Sequence, residues 1–375
     1  MSDSSWSNAA STRTEVNGPW DSSNHRYNQT DGSTANPLDA DFARQYYVKT
    51  LLENSEPKLV YAKYGDEQPL PQGNGKRMQW RKFSKLATAL TPLTEGVTPA
   101  GNNLTMSTVD GAINQYGDWI RLSDIVKLTA LDNLVVQATK QLGSQAGRTR
   151  DTIVREVLMG GTAVRYAPTW SGTTPTEVST RGSMNATSLM TPDLLIKAAT
   201  DLDAMDNDGV DGGEDYVAIM HPFVAYDLMR HPEWRDWQIQ QNGERLYARE
   251  VGRIGKIHIV TTSEAKIWNP GLNNSDAAAT ANSSMGCPTY TYDSTKTGYY
   301  SVFGTIVLAA HAYGVTELQG AGLEHILKPL GYGEDPLNQR ASVGWKCTLG
   351  ATRLNEDAMI RIESLSTYSK TAAAN

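Results

Sequence analysis

Two strand-like stretches, Lys76–Leu86 and Ala112–Val126, are separated by roughly 25 residues rich in Thr, Pro, Gly and Asn. No other feature of the chain constrains its fold as much. The first stretch follows the turn-forming PQGNG and alternates so that Met78 and Trp80 share one side. The connection, which from Thr91 reads TPLTEGVTPAGNNLTMSTVDG, holds no His or Cys and only scattered acids. Compact domains seldom carry so long a connection without structure, because every backbone N–H and C=O needs a partner. A two-stranded arm is also marginal alone in water, since no third layer covers it. The pattern therefore predicts an arm whose partners lie outside its own subunit.

Charge sharpens that expectation. The outgoing strand carries Lys76, Arg77, Arg81, Lys82 and Lys85 with no acid among them. Further on, Asp201, Asp203, Asp206, Asp208, Asp211, Glu214 and Asp215 crowd fifteen positions. The two runs complement each other, and Asp203, Asp206, Asp208 and Asp211 are candidate partners for a neighbouring subunit's cations. On a calcium-loop template Asp206, Asp208, Gly209 and Asp215 fit positions 3, 5, 6 and 12. Position 1 would be Ala204 and position 12 is Asp rather than Glu, so no metal is expected. Trp80 and Phe83 interleave with cations as in a single-stranded nucleic-acid platform, but the chain as a whole argues against that use. Its net charge is −7, with 18 basic and 17 acidic residues in 1–165 and the excess of acid beyond. A dedicated nucleic-acid binder is normally basic.

The rest of the chain reads as α+β. Residues 1–40 are rich in Ser, Asn, Thr and Asp and cannot build a core, which suggests an extended arm. A short amphipathic helix is expected from Asp41, with Phe42, Tyr46, Leu51 and Leu52 at helical spacing and Pro57 ending it. The clearest helix follows the loop. Thr129 and Asp132 stand at capping-box spacing. Leu131, Leu134, Val135, Ala138, Leu142, Ala146, Ile153, Val154, Val157 and Leu158 form its stripe, and Gly160–Gly161 stops it. About 28 residues make a rod of roughly 42 Å. Gly143 and Gly147 inside it fit either a close backbone approach or a tolerated kink. A second helix is predicted at Thr191–Met205, with Pro in its first turn, and a buried strand at Tyr216–Met220. A short helix is expected within His221–Trp234 and one strand over Gly252–Thr262. Two or three strands are expected in Thr297–Leu318, and a further pair in Ser342–Ser364.

Catalytic and cofactor signatures are missing. The six histidines (25, 221, 231, 258, 311 and 325) form no close ligand pair. GNGKR at 73–77 departs from a phosphate loop, because Leu70 stands where glycine is needed and Arg77 where Ser or Thr is needed. No GxSxG occurs, nor a GxGxxG after a strand. Cys287 and Cys347 form no CxxC, and two cysteines fit a reducing compartment better than a disulfide scaffold. No run of about 18 apolar residues occurs, and the N-terminus lacks the basic and apolar regions of a secretory signal. Neither a cofactor nor an enzymatic activity is expected.

PLTEGVTPAG followed by QYGDWIRLSD, a long helix ending in GGT, and then HPFVAYDL and HPEW resemble the N4-like major capsid proteins of tailed bacteriophages. The likeness runs from about residue 42 to 365. It implies an HK97-like capsid fold with an N-terminal arm (1–41), an arm helix (42–65) and an extended two-stranded loop (66–125). A peripheral domain with a long spine helix (126–189) and an axial domain (190–335) would follow. Residues 336–375 would return into the peripheral domain. The resemblance also implies function: self-assembly into hexamers and pentamers of an icosahedral head enclosing double-stranded DNA, with no sequence-specific binding and no membrane. Its partners would be copies of itself, a portal protein, and scaffolding and decoration proteins. Assembly would take place in the bacterial host cytoplasm. Subunit contacts would fall on Lys76, Arg77, Met78, Trp80, Arg81, Lys82, Phe83, Thr94, Glu95, Tyr116 and Trp119. Two alternatives remain from sequence: an encapsulin-type compartment of the same fold, and a glycan-binding or enzymatic α+β protein in which the loop is a lid.

Overall fold

The computed structural model describes residues 20–21 and 26–27, and residues 60–375 apart from 74, 91, 93–94, 97, 99–100, 130–133, 235–249, 270–284, 294–295, 321 and 332–336. Residues 1–53 form one unit, in which Trp20–Asp21 pairs antiparallel with Arg26–Tyr27. The expected arm helix and Asp132 of the expected cap lie outside the described residues. Residues 54–375 form the other unit, built on two sheets.

The first sheet is organised by one long strand, Arg340–Arg353. Along one edge it pairs with Asn114–Ser123 over ten residue pairs. Along the other it pairs first with Glu324–Lys328 and then with Tyr313–Thr316. Alternation along these strands decides what the spine helix, Leu134–Met159, can cover. Val343, Trp345 and Cys347 point to the helix and pack with Leu142 and Ala146. The helix keeps the predicted stripe, with Ala138, Leu142, Ala146, Val154 and Leu158 buried, and ends before Gly160. Two buried positions on it are ionisable. Asp151 accepts hydrogen bonds from the backbone N–H groups of Val60, Tyr61 and Ala62 at 3.1, 2.8 and 3.4 Å, tying that segment to the helix. Burial nevertheless raises its carboxyl above the usual range. Arg155 spans from Glu156 to the Glu264 carbonyl. A side chain at Gly147 would meet nothing within 4 Å, so no element of the described residues explains that glycine by close approach.

The second sheet has seven strands. Its main path runs Glu250–Ile254, Ile257–Thr261, Tyr216–Met220, Val302–Leu308, Met359–Ser364 and Val164–Tyr166, with Ile267–Trp268 pairing Val302–Leu308. Tyr216–Met220 is buried at all five positions, as its unbroken apolar run requires. Two of the sequence helices pack here. Pro192–Ala204 is capped by Thr191, whose side chain accepts from Leu194 N–H at 3.4 Å. Pro222–Arg230 is capped by His221, whose Nδ1 accepts from Phe223 N–H at 3.1 Å.

Three expectations change. Residues 250–262 fold as a hairpin rather than one strand, because Gly255 takes a φ of 54° and turns the chain. Arg340–Arg353 and Met359–Ser364 do not pair with each other. The first belongs to the sheet under the spine helix and the second to the seven-stranded sheet, between Val302–Leu308 and Val164–Tyr166. Finally, the strand that answers Arg77–Phe83 is Met106–Ala112, within the supposed connection, while Asn114–Ser123 is drawn into the spine-helix sheet. The partition has a physical cause. Asn114–Ser123 places Ile120 and Leu122 where they can be covered by the helix, whereas Met106–Ala112 is too polar to compete for that face.

Candidate functional site

Arg77–Phe83 and Met106–Ala112 form an antiparallel ribbon in register from Arg77 opposite Ala112 to Phe83 opposite Met106. Hydrogen bonding continues from Ser84 N–H to the Thr105 carbonyl. Because side chains alternate across a strand, the ribbon has two unlike faces. One carries Met78, Trp80 and Lys82 opposite Gly111, Val109 and Ser107. The other carries Arg77, Gln79, Arg81 and Phe83 opposite Ala112, Asp110, Thr108 and Met106.

The first face lies on its own subunit. The Trp80 ring sits between two glycines. A Cβ at Gly111 would fall 2.6 Å from Trp80 Cζ3, and one at Gly314 would fall 2.8 Å from Cζ2. Neither position tolerates a side chain while the ring is in place. The indole N–H is buried and meets no acceptor among the described residues, so shape holds the ring. Lys82 Nζ donates to Asn355 Oδ1 at 2.7 Å, and Lys85 approaches Asp206 at 3.4 Å with both side chains largely in water. Met78 is half-buried on the same face.

This arrangement changes two sequence expectations. Trp80 and Lys82 anchor the ribbon within the subunit instead of reaching a neighbour, and the Trp80 ring is unavailable as a stacking platform. The second face is bare: Arg77, Gln79, Arg81 and Phe83 are all exposed, and Met106 is exposed beside Phe83. Lys76 is exposed at the ribbon's base. Beyond the ribbon, Glu95 and Gly96 form a turn with Gly96 at φ 81°, and Glu95 is exposed. Thr94 lies outside the described residues.

Part of the acidic run is likewise committed within the chain. Asp203 accepts from the Tyr216 hydroxyl at 2.7 Å and from Lys256 Nζ at 3.1 Å, and these bonds hold its carboxyl below the usual range. Asp201 pairs with Arg165, and Asp215 with Arg253 and His258. The would-be twelfth calcium ligand is thus turned toward cations. Asp206 is paired only with Lys85, Asp208 is exposed, and the Asp211 side chain lies outside the described residues. Among the described residues no group of three or more His, Cys, Asp or Glu side chains is placed to hold a metal.

Tyr116 and Trp119 both come from Asn114–Ser123 but divide between its faces. Tyr116 is half-buried against the core beneath the spine helix. Trp119 is 56% exposed on the opposite face, with the Arg121 guanidinium 5.4 Å from its ring centroid. Sequence reasoning overlooked Met106 and Arg121. Met106 is brought beside Phe83 only by strand pairing, whereas Arg121 lies two residues from Trp119 on the same strand, a spacing that could have shown it.

The described residues thus offer an apolar-tipped ribbon attached to a body of two sheets. A family model described as phage capsid protein matches residues 86–362, close to three quarters of the chain. The chain belongs to the phage capsid protein family. The capsid protein's architecture agrees with solved phage capsids at identities that speak for fold alone. The cyanophage P-SCSP1u capsid is 17% identical, covering 87% of this chain and 94% of that one, with a TM-score of 0.59. The Ralstonia phage GP4 capsid is 14% identical, covering 91% and 99%, with a TM-score of 0.63. The capsid of Helicobacter pylori bacteriophage KHP30 is 11% identical, covering 90% and 99%, with a TM-score of 0.55. No curated protein sequence matches. The capsid protein thus has the HK97-type fold and is the major structural protein of an icosahedral phage head, where it assembles with copies of itself. The compartment and lid-loop alternatives are not favoured.

Proposed function

We propose that the bare face of the ribbon is the principal contact between adjacent subunits of a capsomer. One observation supports this above all: Trp80 commits one face to the subunit's own body, leaving Arg77, Arg81, Phe83 and Met106 in water on the other. A ribbon so fixed presents a preorganised apolar anchor flanked by cations, which lowers the ordering cost of association. Each such contact is modest, and closure of a ring of subunits multiplies it. Hexamers and pentamers built in this way would tile a head around double-stranded DNA. The subunit's net charge of −7 suits a container that must later release that DNA. In this reading a portal protein and scaffolding and decoration proteins complete the head in the bacterial cytoplasm, and the capsid protein itself catalyses nothing.

The test replaces Arg81 with Glu and Phe83 with Ala together. Both side chains are exposed, so the fold should be untouched. Negative-stain microscopy of the full-length protein is expected to show shells or rings for the parent chain and none for the variant, with equal thermal stability. Normal shells from the variant would overturn the assignment.

A further inference from the structure

The sheet under the spine helix has an outer face that no element of the described residues covers. Pairing sets Ile326 beside Gly344 and Gly344 beside Trp119, so the three lie in one row. Gly344 contributes no side chain, and a Cβ there would fall 2.9 Å from Trp119 Cβ. The result is a hollow of about 400 Å³ floored by Gly344, Ser342 and Gly117 and walled by Trp119 and Ile326. Its rim is basic. Arg121 and Lys328 flank one side of the row, and Lys346 on the other pairs with Glu324 at 2.9 Å. Asp118 also lines the hollow and stays ionised, its carboxylate held by hydrogen bonds from Gln145 on the spine helix and from the Trp119 N–H. Among the described residues no carboxylate pairs with Arg121, whose one recorded contact is the Trp119 ring.

The complementary surface is on the same chain. From residue 86 to 109 the only charged residue is Glu95, set at the turn with Gly96. It too has no ion-pair partner among the described residues. The limbs on either side of the turn expose Leu90 (86%) and Leu104 (64%). The twelve residues from Phe83 to Glu95 can carry the turn up to about 40 Å past the ribbon, beyond the width of a small domain.

We infer that the hollow over Gly344 receives the Glu95 turn of a second copy, with Arg121 pairing Glu95 and Trp119 packing on the Leu90 and Leu104 limbs. The inference rests on the ribbon's role as the subunit contact and names the receptor for its far end. A charge pair of this kind, shielded from water by a leucine–tryptophan contact, selects register and partner more than it adds affinity. Trp119 is therefore the acceptor side of the interface, in a different place from the ribbon residues with which sequence grouped it.

The test is a charge exchange in the full-length chain. Glu95→Arg and Arg121→Glu are each expected to reduce the assembled fraction in sedimentation velocity at least tenfold. The double variant is expected to recover at least half of the parent level. A second readout places cysteine at both positions and applies a short bis-maleimide. The doubly substituted chain should give a ladder of cross-linked multimers, and either single substitution no more than dimers. If the parent forms shells but the exchange does not rescue and no ladder appears, the hollow is the wrong receptor and the ribbon reading survives. Shells that form unimpaired with Arg121→Glu leave the hollow to some other occupant and overturn the inference. If the parent chain yields no shells and the doubly substituted chain no ladder, both readings are overturned.

Discussion

Replacing Trp80 with Ala should release the ribbon without unfolding the subunit, and the size of the effect can be worked from its contacts. The ribbon's inner face is held by the half-buried Trp80 ring between Gly111 and Gly314 and by the exposed hydrogen bond from Lys82 to Asn355. Truncating a fully buried Trp costs about 3–5 kcal/mol, so a half-buried ring contributes roughly 2. The exposed hydrogen bond adds at most about 1, and the Lys85–Asp206 pair, with both side chains mostly in water, adds next to nothing. A loss of about 2 kcal/mol lowers the docked-to-undocked ratio roughly 30-fold. Gly314→Ala should act similarly by intrusion, since its Cβ would sit 2.8 Å from the ring. Hydrogen exchange read at residues 77–112 reports docking directly, and sedimentation reports assembly. Both variants are expected to exchange faster in that segment alone, to keep the parent's exchange in the seven-stranded sheet, and to assemble poorly. Unchanged protection of 77–112 in Trp80→Ala would refute the reasoning, because the ribbon would then be held by something other than the ring.

Two further outcomes concern the body of the subunit. Asp151→Ala leaves three buried backbone donors without an acceptor and should destabilise by about 3 kcal/mol in denaturant melts. Asp151→Asn keeps the accepting oxygen and removes a buried charge, so it should lose under about 1 kcal/mol. His221 gives a pH signature. Burial lowers its pKa from 6.5 to about 4, so the unfolded chain takes up a proton first as pH falls. Its contribution is complete above pH 6.5, shrinks by up to about 3 kcal/mol as pH falls toward 4, and is constant below that. Denaturant midpoints across this window should show a steeper loss in the parent than in His221→Asn, and parallel profiles would dismiss the assignment.

What could be read from sequence followed from local rules, and what could not depended on distant partners. The spine helix declared itself because its stripe repeats every turn and two glycines stop it. The five-residue apolar run at Tyr216 could hardly be anything but a buried strand. Along the ribbon, alternation correctly put Met78 and Trp80 on one side. Which side faces the subunit is decided by Gly111 and Gly314, and nothing near Trp80 announces that they will meet it. The same holds for the acidic run. Its spacing suggested a site for a neighbour's cations, and could not show that Lys256, Arg165 and Arg253 reach Asp203, Asp201 and Asp215 through the fold while Asp208 stays exposed. Asp151 and Arg155 were unreadable for the opposite reason: polar residues inside a helix look solvated until the groups that satisfy them are seen.

The placement of residues 340–364 has a consequence for biosynthesis. Arg340–Arg353 is the strand on which the first sheet is organised, and Met359–Ser364 lies inside the second. Neither sheet can close until residue 364 has been translated, tens of seconds after residue 1. An unfinished chain therefore exposes two open sheets and cannot pass for a subunit. In a shell of many identical tiles, one segment of about 25 residues is thus required to complete both halves of every tile.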